Sequence, residues 1–517
     1  MKKFFYPALA AILLLASACS QKAEYTNAIP DNVTGIAAID FAALAEKAGL
    51  QDQANEAYLQ QFTEALKTEM SAAAFQQVEA ILKDPSASGI DVKSPFYFFS
   101  SQSLRQGALV AKVTDEESVR SLIETFRTEG ASIETSEAEG CSVAQVNREI
   151  MLAYNASTLF VVNCERLAKP VLGSLQDSLS QWMQQPEEQS YAAKAEFKQM
   201  LEQKGDIKAV YSYTSLPANY MAVTGYRMPQ GIDLKALKDL RIIAGLSFEK
   251  GSIDLRIAPY TENETLKARF EQQAKATLPI RNTFIDNFPQ STLMLLSGGI
   301  DGNALYNLLL ESTAMGEELS ANDAAYLKRL LGMFQDDFTV GLVNVTLSNL
   351  PSVLAYATVN DAAPLKELKD NATLKKQLGR RTDIVQLEED QYVLRSRNFN
   401  LFFGVRDKQF YATNDETLYK DLFKKCDPSA SETAYAAGMK GKKGAFVINV
   451  EAVCQLPAFK MLAGLGGAKY AALLNAMEQI SYLKSESDGT NGFASLQLKD
   501  KDTNALKQIV ELAKAAL

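Results

Sequence analysis

Two pairs of carboxylates stand at corresponding places in the chain, Glu137 with Glu139 and Glu388 with Asp390. Each pair lies beside a strand-rich stretch, and two carboxyl groups can divide acid and base work in glycoside chemistry without help from imidazole. That matters here because the 517 residues include no histidine. Ser-His-Asp triads, Cys-His dyads and His-bearing zinc sites are therefore excluded, together with the commonest general base. Acidic residues are also frequent in turns between strands, and a turn is the preferred reading of both pairs. Asp500, Asp502, Asn504 and Glu511 are spaced like the ligands of a calcium loop, but Ala505 stands where the sharp turn needs glycine, so helix capping is expected instead. The stretch GMKGKKG at 438–444 is basic and glycine-rich yet lacks the order of a phosphate-binding loop and leads into a strand. A flexible loop is expected there. No catalytic residue, cofactor site or metal ligand is assigned. The apolar runs at 96–99 and 401–403 could line a pocket for a lipid or apolar peptide, although core packing is the default for such residues.

Positioning any site falls to elements that recur along the chain. Ile39-Asp40 with Ala43-Leu44 returns as Ile300-Asp301 with Ala304-Leu305, and Val113-Thr114-Asp115 as Val359-Asn360-Asp361. Ile150-Met151-Leu152, Leu159-Phe160 and Asn163 return as Leu401-Phe402-Phe403, Phe410-Tyr411 and Asn414. Leu216-Pro217-Ala218 with Met221 returns as Leu456-Pro457-Ala458 with Met461, and Leu255-Arg256-Ile257 as Leu496-Gln497-Leu498. The order is kept while the offset drifts between about 240 and 261 residues, the pattern of a tandem duplication with loop insertions. Helices show 3.6-residue spacing, as in Val119, Leu122, Ile123 and Phe126, with Thr114 and Glu117 expected to form a capping box. Strands are short, rich in β-branched and aromatic residues, and arrive in pairs and threes. The fold class expected is α+β, with two homologous modules at 30–282 and 283–517, each carrying antiparallel sheets and helices mainly on one face. A three-stranded meander over 141–163 would put Cys141 and Cys164 at opposite ends of its sheet, beyond disulfide reach, so both are expected as buried free thiols. Pairing of Cys426 with Cys454 stays open.

The first residues read as an address. Met1-Lys2-Lys3 is a basic start, residues 4–15 are an apolar stretch too short to span a bilayer, and Ala16-Ser17-Ala18 lead into Cys19. This resembles the lipobox of bacterial lipoproteins. The resemblance implies removal of residues 1–18, acylation of Cys19 and a lipidated tether over 19–29. Further on, Tyr25-Thr26-Asn27-Ala28-Ile29-Pro30, the Ala37-Ala38-Ile39-Asp40 strand end and Leu44-Ala45-Glu46-Lys47-Ala48-Gly49-Leu50 are similar to an uncharacterised lipoprotein family of Bacteroidota. It implies location and origin but no catalytic residues. A net charge of −9 argues against nucleic acid or anionic lipid as the main partner. The expectation is a non-enzymatic, lipid-anchored envelope protein with a binding or scaffolding role. It would be held to the membrane by Cys19, the outer membrane before the inner and with surface exposure open, and would meet an envelope protein, peptide or lipid. Two alternatives stand beside it: a carrier for a lipid or apolar peptide, and a histidine-free, carboxylate-based hydrolase of envelope glycans.

Overall fold

The computed structural model describes residues 24–50, 52, 60, 63–101, 104, 107–165, 169–215, 234–312, 320–346, 350–368, 371, 382–457, 459–461 and 474–516. Residues 1–18, Cys19, the Leu216-Pro217-Ala218 motif with Met221, and Ala458 lie outside them.

Strands form where the sequence turns β-branched and aromatic. The first half supplies β1 (Val33–Ile39), β2 (Phe96–Ser101), β3 (Ala108–Lys112), β4 (Ile133–Ala138), β5 (Cys141–Val146), β6 (Ile150–Tyr154), β7 (Thr158–Asn163), β8 (Ile207–Ser212), β9 (Arg241–Glu249) and β10 (Ser252–Tyr260). After the short β11 (Thr277–Leu278), the second half supplies β12 (Met294–Asp301), β13 (Phe334–Asn344), β14 (Ser352–Val359), β15 (Asp383–Glu388), β16 (Gln391–Arg395), β17 (Asn400–Arg406), β18 (Gln409–Thr413), β19 (Gly444–Ile448), β20 (Ile480–Ser487) and β21 (Gly492–Leu498). Tight turns fix the hairpin registers. Asp407 and Lys408 both take positive φ between the paired Arg406 and Gln409, as a two-residue turn matched to strand twist requires.

All pairings are antiparallel and join the strands into one sheet. Across the first half the order is β4-β5-β6-β7-β3-β2-β1-β8-β9-β10. Strand β10 then pairs with β21, and the order continues as β21-β20-β19-β12-β13-β14-β18-β17-β16-β15. Read outward from the centre, the two halves pair their strands in the same order. The central register has the same property: Ser252 faces Gln497 and Arg256 faces Phe493, symmetrically about Asp254 and Ser495, whose hydroxyl donates to the Asp254 carboxylate at 2.8 Å.

The helices of the first half that bear on the core are α1 (Phe41–Lys47), α2 (Ala72–Lys83), α3 (Glu116–Thr128), α4 (Lys169–Gln184) and α5 (Ala195–Glu202). The first half closes with α6 (Glu264–Ala276), and the second half has α7 (Gly302–Ser312), α8 (Ala321–Gly332), α9 (Ala363–Leu368), α10 (Glu416–Lys420), α11 (Ala434–Met439), α12 (Val450–Gln455) and α13 (Ala505–Ala516). The expected class, α+β with antiparallel strands, holds. The layering differs from helices mainly on one face. Ile36, Tyr97, Val110, Phe160 and Val210 point to one side and pack with Tyr25, Ile29, α4 and α5. Phe96, Ala111 and Leu159 point to the other and pack under α2 and α3. Both faces of these strands are apolar, so both need covering.

Helix starts follow the acids at strand ends. Asp40 accepts from the Ala43 amide at 2.9 Å, and Asp301 from Ala304 at 3.0 Å. The capping box expected of Thr114 and Glu117 is not formed. Asp115 caps α3, accepting from the Glu117 amide at 3.1 Å, while the Thr114 hydroxyl donates to the Gly89 carbonyl. A carboxylate one residue closer to the helix is the stronger acceptor.

Part of the stretch expected as a tether over 19–29 lies among the described residues. Residues 24–28 form a turn of 3-10 helix, and Tyr25 is 2% exposed with its hydroxyl donating to the Pro95 carbonyl. In the first half this turn precedes β1. The second has a matching entry: Pro30 bridges to Ser190 and Pro289 to Ser429, and the amides of Tyr191 and Ala430 donate to Ile29 and Phe288.

Candidate functional site

Side-chain alternation along β1, β2 and β8 decides what the sheet shows. Ile36, Phe99 and Val210 go down into the core, which turns Ala37, Phe98 and Ala209 to the opposite face. Register then lines these residues up across strands. Val161 (β7), Leu109 (β3), Phe98 (β2), Ala37 (β1) and Ala209 (β8) form one row, extended by Ala244 (β9) and Ile257 (β10). Beside it runs a second row, Ser100, Gly35 and Tyr211. The middle of both rows is glycine and alanine and their ends are large, so the surface sinks into a trough of about 710 Å³. Phe98 remains 36% exposed although its ring meets the edge of Phe41 at 6.1 Å. Gly35 is not held small by crowding, since a methyl there would come no closer than 3.4 Å to its nearest neighbour, the Tyr211 Cβ. Its smallness keeps the floor low.

None of the residues in the two rows carries a charge, and Lys208, the neighbour of Ala209, sits on the other face, donating to the Leu201 carbonyl. Burial holds the Lys208 ammonium below the ordinary lysine value, against the pull of Asp40. Polar groups gather at one end of the trough, where Asn163, Glu149 and Glu165 contribute to the lining. On the same face a smaller groove of about 310 Å³ crosses β10–β21, lined by Ile253, Leu255, Phe446, Leu483 and Leu496.

The residues singled out by sequence are dispersed by the fold. Glu137 lies within β4 and Glu388 at the end of β15, the strands at opposite ends of the sheet, so the two pairs cannot meet. Strand β4 makes the meander four-stranded rather than three-stranded. Glu139 and Asp390 occupy two-residue turns, the first with Gly140 at positive φ and the second itself at φ 55°. Glu137 accepts from the Ser142 hydroxyl at 3.0 Å, and Glu388 from the Gln391 amide at 2.9 Å. Both are structural contacts. Asp500 accepts from the amides of Asp502 and Thr503, and Asn504 from Leu506, which starts α13. In the glycine-rich loop, Lys442 pairs with Glu486 at 3.7 Å and Lys443 donates to the Ala274 carbonyl. Among the described residues no three His, Cys, Asp or Glu side chains converge on a metal site.

Of the run at 96–99, Phe98 and Phe99 contribute to the lining of the trough, Phe98 alone with an exposed side chain; Phe96, Tyr97 and Phe99 are buried. Phe402 stacks on Tyr419 at 4.5 Å and Phe403 on Tyr392. Cys141, Cys164 and Cys454 are buried free thiols, and Cys426 is a half-buried one. Burial pushes all four thiols up. Sequence reasoning did not find Gly35, Ala37 or Ala209. The signal was there as small residues at alternate positions of apolar strands, but it identifies no trough until the neighbouring strands are known.

The chain belongs to the family described as Domain of unknown function (DUF4836), which matches residues 25–506. No curated protein and no solved structure matches it. No helix among the described residues is long and apolar enough to cross a membrane.

Proposed function

We propose that this protein is a non-enzymatic, lipid-anchored envelope protein that holds a long acyl chain in the trough of its first half. The observation that carries the reading is the uncharged row Val161-Leu109-Phe98-Ala37-Ala209, sunk below its surroundings by small residues. Five strands span four inter-strand spacings of about 4.8 Å each, roughly 19 Å, a length suited to a fatty-acyl tail. The chemistry of the floor selects lipid over peptide. Every strand beneath it is paired on both sides, which leaves no main-chain donor or acceptor for an incoming peptide, whose own amides would be desolvated without partners. An acyl chain has no such groups.

Anchoring rests on the Met1-Lys2-Lys3, apolar stretch and Ala16-Ser17-Ala18-Cys19 order. Acylation at Cys19 would tether the body to the envelope, the outer membrane being favoured, within reach of lipid. The two halves read as products of a tandem duplication, supported by their matching strand order and by their paired entries at Pro30 and Pro289. Dispersal of the carboxylate pairs supports binding over hydrolysis.

Two measurements test this. Metabolic labelling with an alkyne fatty acid should mark the protein and not C19S; an unlabelled parent refutes the anchor. Titration of the full chain with cis-parinaric acid should give saturable fluorescence displaced by palmitate, and a linear, undisplaced signal refutes the trough.

A further inference from the structure

A second cavity, of about 830 Å³, opens in the other half of the molecule, between the starts of β12 and α11, the end of β13, and helix α12. Its chemistry is unlike that of the trough. Gln290, Ser291, Asn344, Gln455 and Ser481 bring hydrogen-bonding groups to the wall, and Leu293, Val343, Pro457 and Tyr482 bring apolar surface between them. Tyr435 lies at its inner side, only 3% exposed, its ring meeting Tyr482 edge-on at 5.5 Å. The Tyr435 hydroxyl is buried and forms no well-directed hydrogen bond, with Thr433 and Asn449 of the lining as its polar neighbours. An unpaired buried donor is costly and is ordinarily satisfied by a ligand or by water.

The matching helix of the first half carries different chemistry. Met200 and Met439 are both fully buried near the ends of matching helices, and four residues before them stand Glu196 and Tyr435. Glu196 pairs with Arg241 at 3.7 Å, and both side chains are largely buried. An ion-paired carboxylate stands in one half at the helix position where a phenol borders the cavity in the other.

We infer that the cavity beside Tyr435 binds a neutral saccharide. Walls that alternate amide and hydroxyl groups with aromatic and aliphatic surface suit a sugar ring, whose hydroxyls need many partners and whose C–H faces pack on apolar groups. An acyl chain would leave the polar wall unpaired. An anion would meet Glu432 and Glu451 in the lining against Lys501. Glu451 is already engaged, accepting from Ser481 at 3.3 Å and lying 4.0 Å from Lys499. The Tyr435 hydroxyl donates to a sugar oxygen.

The test uses the full chain with three named probes, maltotriose, cellotriose and triacetylchitotriose, followed by isothermal calorimetry and saturation-transfer NMR. At least one probe should bind saturably at millimolar or lower concentration. Y435F, which keeps the ring and removes only the hydroxyl, should weaken that binding about three- to tenfold with an unchanged melting temperature. A452W, placing an indole on the α12 wall, should abolish it while leaving cis-parinaric acid binding intact. The inference is overturned if none of the three binds, or if Y435F binds as tightly as the parent.

Discussion

Filling the trough gives the most direct check on how the sheet face works. Ala37 is central in the row, flanked by Phe98 on β2 and Ala209 on β8, and it points away from the core that its neighbours Ile36 and Ala38 enter. Phenylalanine at this position keeps a residue well suited to a strand and does not intrude on the packed side. Its ring would occupy about one inter-strand spacing, ~4.8 Å, which excludes roughly four methylenes of an acyl chain. At ~0.8 kcal/mol per buried methylene, the loss is about 3 kcal/mol, on the order of a 100-fold weaker dissociation constant. Displacement of cis-parinaric acid by palmitate measures it, with circular dichroism and the melting temperature establishing that A37F is folded. Ile257→Phe, on the same row but three strands away, should change affinity by less than about tenfold. An A37F protein that is folded and binds palmitate as tightly as the parent would refute the reasoning, because no ligand could then be lying across β1.

Asp337 is 2% exposed and accepts from the amides of Arg281 and Thr283 and from the Thr283 hydroxyl at 2.7 to 2.8 Å, so D337A should cost about 3 kcal/mol, read as a lower urea midpoint with unchanged slope. Met200→Ala and Met439→Ala should each cost about 2–4 kcal/mol and agree within about 1 kcal/mol; a much larger difference would tell against the correspondence of the halves. Acid should destabilise the fold in a defined window. Hydrogen bonds from Lys425 and Ser431 hold the Asp286 carboxyl below its ordinary value; at Asp91 and Asp415 burial pushes upward, but the bonds from Lys112 and Ser94, and from Ser352 and the Leu418 amide, outweigh it. Carboxyls with folded values below the unfolded one contribute stability that is present above about pH 4 and lost as pH falls through the depressed values, so urea midpoints should hold near neutrality and drop below about pH 4. Alkylation under native conditions should modify Cys426 first, since Cys141, Cys164 and Cys454 are buried, and its rate should rise with pH because burial disfavours the thiolate.

Several features were legible in the linear chain because they are local. The match of Ile150–Asn163 to Leu401–Asn414 foretold that β6–β7 and β17–β18 would be equivalent hairpins, and Phe160 and Tyr411 both end in cores. The spacing of Val119, Leu122, Ile123 and Phe126 foretold the buried stripe of α3. The turn reading holds for one acid of each pair, because two-residue turns have strict backbone demands met by Glu139-Gly140 and by Asp390, while Glu137 and Glu388 belong to strands. The similar approach of the chain to the sheet in the second half escaped notice. Tyr25 through Pro30 and Phe284 through Pro289 share only aromatic and apolar character with the final proline, which is a weak signal until both prolines are seen bridging to Ser190 and Ser429.

The amino-acid sequence by itself determined the class, particular hairpins and helix stripes and the exclusion of histidine chemistry, since propensity, periodicity and composition are properties of neighbouring residues. Tertiary structure decided everything that depends on register between distant strands. It joined β10 to β21 across the middle of the chain and sent the carboxylate pairs to opposite ends of one sheet. It also set Ala37, Phe98 and Ala209 side by side although they are far apart in sequence. A shift of one residue in any of those pairings would turn the row into the core, and no local pattern encodes which partner a strand will take.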